Sequence, residues 1–512
     1  MAGSQIPYQD SAMDIFLGVD VGTTSIKATA IDKAGVILAT AQVPCAMETP
    51  RSGHFEIDAP VQWIGGFRKA LGILGSELVS RVRAICVSSV CASFVPVDGG
   101  GKPLRNAIMY GIDTRATAQF DRLNRDFSKA RLASIAGNGF TSHSVFPKIL
   151  WLKENEPEIY EKTALFVESS NFISSYLTDR YAWDRPSAAG AHMIDVECGA
   201  YPPDFLREVG IDEEKLPSLK YPLDILGSVT KMASMTTGIP EGVSVLVGAC
   251  DVNAEAFACG AIDPGSLLLV YGSTLSTLYT IDSFKRLPGF LIGPSVLEGT
   301  FRLGGATSSG GRYLDWVRKL LGMENPPDQE NGGASSDDAS SDNASSDDAP
   351  GGLLMLPFLD GARIPYQNPD LRVLWYGMSS ATSRKDLWKA AMESMGCELS
   401  VLLGIFASVG PLPSFAHVTG GLAGNSGFLR IVSNVSGMTL RHFKNVNAAF
   451  GDALMALSSE FGLTQVRAIL ETRSNNPENV EEIRADRTLF EAYAEQREAY
   501  RSLAEFLRRS PS

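Results

Sequence analysis

The sequence FLGVDVGTTSIKATAID runs from Phe16 to Asp32 and has the pattern of two strands joined by a tight turn. The first strand is apolar and carries one carboxylate, Asp20, to the turn Val21–Thr24. Backbone N–H and hydroxyl groups in such a turn can hold phosphate oxygens, and a carboxylate there can bind Mg²⁺ or its water ligands. A hairpin whose glycine serves only the turn is equally consistent with this stretch alone. No GxxxxGK[ST] follows the strand, so the stretch is not a Walker A loop.

The composition is that of a globular protein with more than one domain. At 512 residues the chain is too long for a single core, and 44% of its residues are apolar. The net charge of −13 disfavours nucleic acid as a partner. We find no apolar run long enough to cross a membrane and no secretory signal pattern, and the seven cysteines form no CxxC pair. These features favour a cytoplasmic protein with reduced thiols.

Residues 324–352 break the globular pattern. They hold eight acidic residues and no Lys or Arg, and they include a five-residue repeat of the form ASSD(D/N) from Ala334 to Asp348. Such a composition cannot bury enough apolar surface to fold, so we predict a disordered surface loop. A tolerated insertion is the simpler interpretation, and a regulatory or partner-binding role is the alternative.

A second carboxylate lies at a predicted strand end. In VSVLVGACDVNAEAFACG, from Val243 to Gly260, a β-rich run leads to Asp251 and then to a helix rich in small residues. A carboxylate fixed there could act as general base for an alcohol, or it could be only the N-cap of the helix. Further on, Gly265 to Leu278 repeats the strand, Gly-Ser-Thr turn and strand of the opening stretch. Two such hairpins, each opening a domain, are typical of the duplicated actin-like architecture that holds a nucleotide.

Other polar residues follow strand or loop signals. Ser89 and Cys91 stand at the end of an apolar run, where ligand-binding groups gather in open α/β sheets. Asp113 and Arg115 are two residues apart, so in an extended segment they share a face. They could contact a sugar hydroxyl or form a surface salt bridge that opens a helix. His143 lies in a polar loop, where a structural role is the commoner one.

Together these motifs resemble those of the FGGY carbohydrate kinases, a family of sugar kinases in the actin-like ATPase superfamily. One stretch of this chain resembles the family's C-terminal signature. It consists of Gly377-Met378, seven further residues, and DLWKAAME from Asp386 to Glu393. KILWLKEN, from Lys148 to Asn155, resembles half of the N-terminal signature. GVDVGTTSIKA, GACDVNAEAFACGA and VTGGLAGNSGFLR resemble its first phosphate motif, catalytic-aspartate motif and adenosine motif. The resemblance extends over roughly residues 14 to 470 in family order.

The resemblance implies an α/β fold of two ribonuclease H-like, actin-like ATPase domains. Each would be a mixed five-stranded sheet flanked by helices, with a cleft between the domains. The expected ranges are an N-terminal tail (1–13), an N-terminal domain for sugar and phosphate binding (14–260), a C-terminal nucleotide-binding domain (261–475) containing the disordered acidic insert (324–352), and a C-terminal helical tail (476–512).

The resemblance also implies roles for individual residues, with ATP and Mg²⁺ as cofactors. Asp251 would be the catalytic base for a sugar hydroxyl, Asp20 would position Mg²⁺, and Lys27 would neutralise developing charge. The residues expected at the phosphates and the nucleotide are Thr23, Thr24, Ser25, Gly272, Ser273, Gly311, Gly420, Gly421 and Asn425. The residues expected at the sugar are Ser89, Cys91, Asp113, Arg115, His143, Asp251 and Asn253.

The substrate is less well defined than the reaction. Ser89-Val90-Cys91 stands where xylulose kinases of the family carry Gln-Met-His and glycerol kinases carry Gln-Arg-Glu, and Tyr110-Gly111 replaces the family's usual Trp. Glycerol is therefore disfavoured. A ketose such as xylulose or ribulose, or a related polyol, is expected, and homodimerisation is left open.

Two other classes of function are kept as alternatives. One is an actin-like or chaperone-type ATPase without a sugar substrate, which would need the phosphate hairpins but not a base at a hydroxyl. The other is a sugar-binding regulator that has lost catalysis. The presence of both Asp20 and Asp251 argues against a pure binder.

Overall fold

The computed structural model describes residues 14–137, 139–323, 349–444 and 446–509. The expected N-terminal tail and the ASSD repeats of the acidic insert lie outside the described residues. The chain forms two compact units. The first is made of Met1–Gly260, Val296–Glu298 and Val446–Glu471, and the second of Ala261–Ser295, Gly299–Asn445 and Thr472–Ser512.

These units divide the chain differently from the ranges expected from the sequence. Val446–Glu471 packs with the first unit, although it follows the second unit in the chain. This segment packs closely against the strand that contains Gly18, where any side chain would overlap the backbone of Ala449. The residues from Thr472 onward belong to the second unit rather than to a separate tail, since Val480–Ile483 pairs with a strand of its main sheet.

The described strands are numbered in chain order. They are β1 (Ile15–Val21), β2 (Ser25–Ile31), β3 (Ile37–Pro44), β4 (Glu48–Arg51), β5 (His54–Ile57), β6 (Val82–Ser89), β7 (Phe94–Val97), β8 (Ala107–Ile108), β9 (Leu165–Glu168), β10 (Ala182–Asp184), β11 (Ser218–Lys220), β12 (Ile225–Ser228), β13 (Ser244–Leu246), β14 (Ala249–Cys250), β15 (Leu267–Tyr271), β16 (Leu275–Ile281), β17 (Leu291–Pro294), β18 (Phe301–Ala306), β19 (Leu354–Leu356), β20 (Leu374–Tyr376), β21 (Phe415–Thr419), β22 (Thr439–Phe443) and β23 (Val480–Ile483).

The described α-helices are numbered in the same way, and a π-helical segment, Ala59–Ile64, precedes the first. They are α1 (Gly65–Leu74), α2 (Ser76–Val79), α3 (Thr117–Asp126), α4 (Lys129–Ala136), α5 (Val145–Asn155), α6 (Pro157–Lys162), α7 (Ser169–Thr178), α8 (Arg185–Gly190), α9 (Pro203–Val209), α10 (Lys231–Thr237), α11 (Asp251–Cys259), α12 (Gly311–Leu320), α13 (Arg384–Ala407), α14 (Ser426–Ser436), α15 (Ala448–Ser474, kinked at Gly462), α16 (Arg487–Ala492) and α17 (Ala494–Arg509).

The main sheet of the first unit has the order β12-β13-β6-β1-β2-β3, and β14 also pairs with β6. β1 runs parallel to β6, whereas β1, β2 and β3 form an antiparallel meander. β1 is buried along its whole length, as expected for a strand covered on both faces. A second sheet has the order β4-β5-β8-β7-β9, and β10 pairs with β11.

The opening stretch forms the predicted hairpin. β1 and β2 pair antiparallel with Asp20 opposite Lys27, and the N–H of Gly22 donates to the carbonyl of Ser25 at 3.0 Å to close the turn. The predicted second hairpin is confirmed as well. β15 and β16 pair antiparallel up to Tyr271 and Leu275, in the second unit.

The main sheet of the second unit has the order β17-β18-β16-β15-β21-β22-β23. Each main sheet therefore has seven strands among the described residues, and the expected number of five is wrong. In the first unit Gly248 separates β13 from β14, because it has a left-handed φ of 83° and lies against the carbonyl of Val87. In the second unit the edge strands β17 and β23 have four residues each. Strands this short show no clear period-two pattern, so the sequence does not reveal them.

One helix in the described part of the chain, α13, is long and apolar enough to cross a membrane by length and composition. Within its most apolar window, 72% is buried inside the protein. The helix begins with a capping box formed by Ser383 and Asp386. This burial is that of a core helix of the second unit.

Candidate active site

Two strands of the first unit bring the predicted carboxylates to one edge of the main sheet. β1 and β14 both run parallel to β6, and Asp20 and Ala249 both lie opposite Ser88. Asp20 is the next-to-last residue of β1, and β14 ends one residue before Asp251. The carboxyl ends of parallel strands are where open α/β sheets collect ligand-binding groups. The strand register thus places Asp20 and Asp251 at the same edge.

Asp20 is a buried carboxylate, and one of its oxygens has no hydrogen-bond partner among the described residues. It is only 6% exposed, and Nζ of Lys27 lies 3.7 Å from its Oδ2. Its Oδ1 is buried and accepts no hydrogen bond within the described ranges. Burial and the charge of Asp251 raise the pKa of Asp20 to about 7, and Lys27 partly offsets that rise. Such an oxygen suits a hard cation or one of its water ligands.

Asp251 is the first residue of α11, and Cys250 rather than Asp251 occupies the N-cap position. The N-cap alternative is therefore wrong. Its Oδ1 accepts a hydrogen bond from the N–H of Val252 at 2.7 Å. Burial raises the pKa of Asp251 to about 6, while the Val252 N–H and the charge of Lys27 lower it. A carboxylate with a pKa close to neutrality is suited to accept a proton.

The hydroxyl groups of the β1–β2 turn are not equally accessible. Thr24 is exposed and Thr23 is partly exposed. Ser25 is only 7% exposed, and its Oγ accepts a hydrogen bond from Nε2 of Gln42 at 3.3 Å. Thr23, Thr24 and the 39% exposed Lys27 can therefore meet a phosphate more readily than Ser25 can.

Asp113 and Arg115 form a buried ion pair. The oxygens of Asp113 accept hydrogen bonds from Nε and Nη2 of Arg115 at 2.8 to 3.0 Å and from the N–H of Phe55 at 2.7 Å. Arg115 also places Nη1 2.9 Å from Glu56 and lies over the ring of Trp151. Neither side chain of the pair is exposed, so the surface salt bridge considered from the sequence is wrong. The carboxylate of Asp113 is enclosed and held by Arg115 and Phe55, and its expected contact with a sugar stays a prediction.

The other expected sugar contacts are enclosed to different degrees. Ser89 is fully buried and accepts a hydrogen bond from Oγ of Ser169 at 2.8 Å. Asn253 is 5% exposed. Cys91 is partly exposed, with Sγ 3.4 Å from the carbonyl oxygen of Ser187. Of these three residues, Cys91 has the most surface open to a ligand.

Tyr110 is a candidate sugar contact that was not selected from the sequence. Nζ of Lys148 donates to its carbonyl oxygen at 2.8 Å and fixes the backbone. Burial and the charge of Asp251 raise the pKa of the Tyr110 phenol, so the two side chains interact. The exposed ring of His143 lies 6.2 Å from that of Tyr110, and a side chain on Gly111 would overlap it. Tyr110 belongs to the Tyr110-Gly111 pair that replaces the family's usual Trp, and this departure was the signal that could have identified it.

In the second unit, the expected phosphate and nucleotide loops meet at the end of β15. Gly272 and Ser273 form the β15–β16 turn, and the N–H of Gly311, at the start of α12, donates to the carbonyl of Gly272 at 2.8 Å. β21 runs parallel to β15 and leads into Gly420 and Gly421. A helix N-terminus beside glycine turns is suited to hold an anion.

A cavity of about 820 Å³ opens at these loops. Its size fits a small-molecule ligand. It is lined by Gly272, Ser273, Gly311, Arg312, Asp315, Trp316, Lys319, Leu359, Asp360, Gly421 and Leu422. Gly420 and Asn425 are not among these lining residues, and their contact with a nucleotide stays a prediction. Gly420 lies against the backbone of Tyr271, and Asn425 caps α14 through the N–H of Phe428. Arg312, Trp316 and Lys319 were missed, although their spacing places them on one helix face.

Two further carboxylates of the first unit were missed. Glu255 lies one turn after Asp251 on α11, and this spacing of four residues was visible in the sequence. Asp452, on α15, is fully buried and accepts a hydrogen bond from Oγ of Ser88 at 2.6 Å. The two partners are 364 residues apart, so no local pattern could have connected them.

Two family models match the chain. The one described as "FGGY family of carbohydrate kinases, N-terminal domain" matches residues 15–258, and the one described as the C-terminal domain of the same family matches residues 270–460.

Similar proteins carry related names. The xylulose kinase of Bacillus subtilis (strain 168) is 26% identical over 455 residues, which cover 87% of this chain and 88% of that protein. The xylulose kinase of Escherichia coli (strain K12) is 24% identical over 504 residues, covering 96% and 98%. The crystal structure of xylulose kinase from Rhodospirillum rubrum superposes with a TM-score of 0.83 at 25% identity, over 96% of this chain and 99% of that one.

Proposed function

The chain belongs to the FGGY family of carbohydrate kinases, and we propose that it phosphorylates a hydroxyl of a ketose or a related polyol. The protein is an ATP-dependent sugar kinase, an ATP:sugar phosphotransferase. We infer that the ketose is a pentulose such as xylulose or ribulose, on the basis of the named relatives. The single observation that supports our assignment of residues is the strand register that places Asp20 and Asp251 at one sheet edge. Action in the cytoplasm and homodimerisation stay predictions.

Asp251 is the general base in this proposal. Val252 holds Oδ1 through its N–H, which orients the carboxylate and leaves Oδ2 to accept the proton of the sugar hydroxyl. As that proton moves to Asp251, the hydroxyl oxygen forms its bond to the γ-phosphorus and the bond to the β-phosphate oxygen of ADP breaks. Positioning and charge stabilisation provide most of the catalysis in phosphoryl transfer, so the fixed carboxylate at the strand end is what this chain contributes.

Asp20 is the residue proposed to hold Mg²⁺. The donor set fits, because the buried Oδ1 of Asp20 has no hydrogen-bond donor among the described residues and hard cations prefer carboxylate oxygen. The described part of the chain contains no group of three or more His, Cys, Asp or Glu that could hold a metal ion. Asp20 would therefore share the ion with phosphate oxygens and water, as Mg²⁺ commonly requires. When bound, the ion supplies positive charge to the transferring phosphoryl group.

The pH dependence of activity should reflect Asp251. The base must be deprotonated, and its pKa is raised to about 6, so kcat/KM should fall as the pH drops through about 6. The measurement is the kcat/KM profile with saturating Mg-ATP, read from sugar phosphate formed rather than through a coupling enzyme. A profile that stays flat down to about pH 5 would contradict a base with this pKa.

Gly111→Ala tests the contribution of His143 to sugar binding. The new methyl group would overlap the imidazole ring, so the ring must move. If that ring holds a sugar hydroxyl, the KM for sugar should rise about 3- to 10-fold with kcat nearly unchanged, the effect of one lost hydrogen bond. His143→Ala should raise KM similarly, and the double variant should add little. Unchanged KM in both single variants would remove His143 from the sugar site.

The experiment that tests the proposed function is a substrate screen. Purified protein with Mg-ATP is offered ketopentoses, ketohexoses, sugar acids and polyols, and ADP release is followed. We expect release that depends on a ketose or polyol. Release of ADP at the same rate with every sugar and with none would favour the alternative of an ATPase without a sugar substrate. Binding of ATP without turnover of any sugar or polyol would favour the alternative of a sugar-binding regulator that has lost catalysis.

A further inference from the structure

Glu255 extends the acidic edge of the first unit by one helical turn. It lies four residues after Asp251 on α11, and residues four apart share a helix face. Its side chain is partly exposed. Within the described ranges, no group donates a hydrogen bond to its carboxylate and no cation pairs with it. The carboxylate therefore has its full hydrogen-bonding capacity available beside Asp251.

Negative charge exceeds positive charge at this edge. Among the residues that the structure describes, Lys27 is the cation that acts on Asp20, Asp251 and Glu255, and its ammonium already lies 3.7 Å from Asp20. Burial and the charges of Asp251 and Asp20 raise the pKa of Glu255 to about 7, while Lys27 lowers it. Like charges in a poorly solvated site repel strongly, and a cation relieves the repulsion.

A second observation points to a cation independently of the charge count. Oδ1 of Asp20 is buried and has no donor from the described residues, and the side chain as a whole is only 6% exposed. A buried carboxylate oxygen without a partner is costly unless a ligand or water meets it. The neighbouring Glu255 offers a further set of oxygen acceptors to the same ligand.

We propose that Glu255 is a positioning residue for the divalent cation, accepting hydrogen bonds from the cation's water ligands. The inference rests on the proposed function, in which Asp20 holds Mg²⁺. Direct binding by three carboxylates is not supported, because the described residues include no such cluster. Mg²⁺ usually keeps several waters, and carboxylates that hold those waters tune its affinity.

Glu255→Gln tests this role, because it removes the charge and keeps the shape of the side chain. Mn²⁺ is titrated into the full-length protein with a non-hydrolysable ATP analogue and followed by electron paramagnetic resonance. We expect Mn²⁺ to bind about 10-fold more weakly to the variant than to the wild type. The Mg²⁺ concentration that gives half-maximal activity should rise by a similar factor, with the KM for sugar unchanged. Glu255→Asp, which keeps the charge, should bind Mn²⁺ more tightly than Glu255→Gln.

Glu241→Gln is the matched control. Glu241 is exposed and precedes β13, a strand parallel to β6, so it lies at the opposite edge of the sheet. Its substitution should leave Mn²⁺ binding unchanged. Equal Mn²⁺ affinity in the wild type and Glu255→Gln would overturn the proposal, and so would equal weakening by both Gln variants. If the wild type phosphorylates no sugar, the proposed function fails, and the Mn²⁺ titration still decides the role of Glu255.

Discussion

Asp251→Asn is expected to lower kcat by about 10²-fold or more, because the variant cannot accept the proton of the sugar hydroxyl. The side chain keeps its shape, and its carbonyl oxygen can still accept the hydrogen bond that Val252 donates at 2.7 Å. Binding of ATP should change little, since the expected nucleotide loops belong to the second unit. The measurements are single-turnover phosphate transfer to the sugar found in the screen and calorimetric binding of an ATP analogue.

The control for this prediction is Asp121→Asn. Asp121 is an exposed residue of α3 and undergoes the same chemical change away from the sheet edge. Its kcat should match that of the wild type. Near-wild-type turnover in Asp251→Asn, with normal folding, would remove Asp251 from the role of base.

Arg115→Met is expected to destabilise the protein by about 3–5 kcal/mol, because it leaves Asp113 buried and without its counter-charge. Both side chains of the pair are completely buried, so water cannot replace the guanidinium. The substitution also removes the contacts of Arg115 with Glu56 and Trp151. The free energy of unfolding of the first unit, measured by denaturant titration at neutral pH, reports the effect.

Two controls separate the buried charge from lost packing. Asp113→Asn combined with Arg115→Met removes both charges, so the double variant should be more stable than Arg115→Met alone. Arg207→Met breaks a pair with Asp204 in which both side chains are more than three-quarters exposed, and it should cost no more than about 1 kcal/mol. A loss in Arg115→Met as small as that in Arg207→Met would contradict the structural role assigned to the buried pair.

The parts of the fold that the sequence predicts are those with strong local patterns. The β1–β2 hairpin follows from an apolar run, a Gly-Thr-Thr turn and a second alternating strand, and its repeat at β15–β16 follows from the same signals. Asp20 and Asp251 could be selected for the same reason, since each comes at the end of a β-rich run. Two sheet-rich α/β units were therefore within reach of sequence reasoning.

Contacts between distant parts of the chain could not be predicted in this way. α15 packs on the first unit because Gly18 leaves room for the backbone of Ala449, and the two positions are more than four hundred residues apart. Glu168 and Asp184 are the last residues of the short strands β9 and β10, yet both are completely buried and burial raises the pKa of each. Nothing in their local sequences distinguishes them from exposed acids.

Burial also separates what the sequence could and could not predict about two residues expected at the sugar. Asp113 and Arg115 have the spacing expected of neighbours on an extended segment, and they do contact each other. Their depth is set by Phe55, Glu56 and Trp151, which come from other elements. The two-residue spacing could therefore predict the pair but not that it is completely buried.

Phosphoryl transfer to a sugar is tested most directly by following the γ-phosphoryl group itself. ATP labelled in that group is incubated with Mg²⁺, the protein and a ketopentose such as xylulose or ribulose, and the label is traced in the products. We expect the label to appear in a sugar phosphate, in a one-to-one ratio with ADP, and we expect Asp251→Asn nearly to abolish this transfer. Label found only in inorganic phosphate across the whole sugar and polyol panel would contradict this expectation.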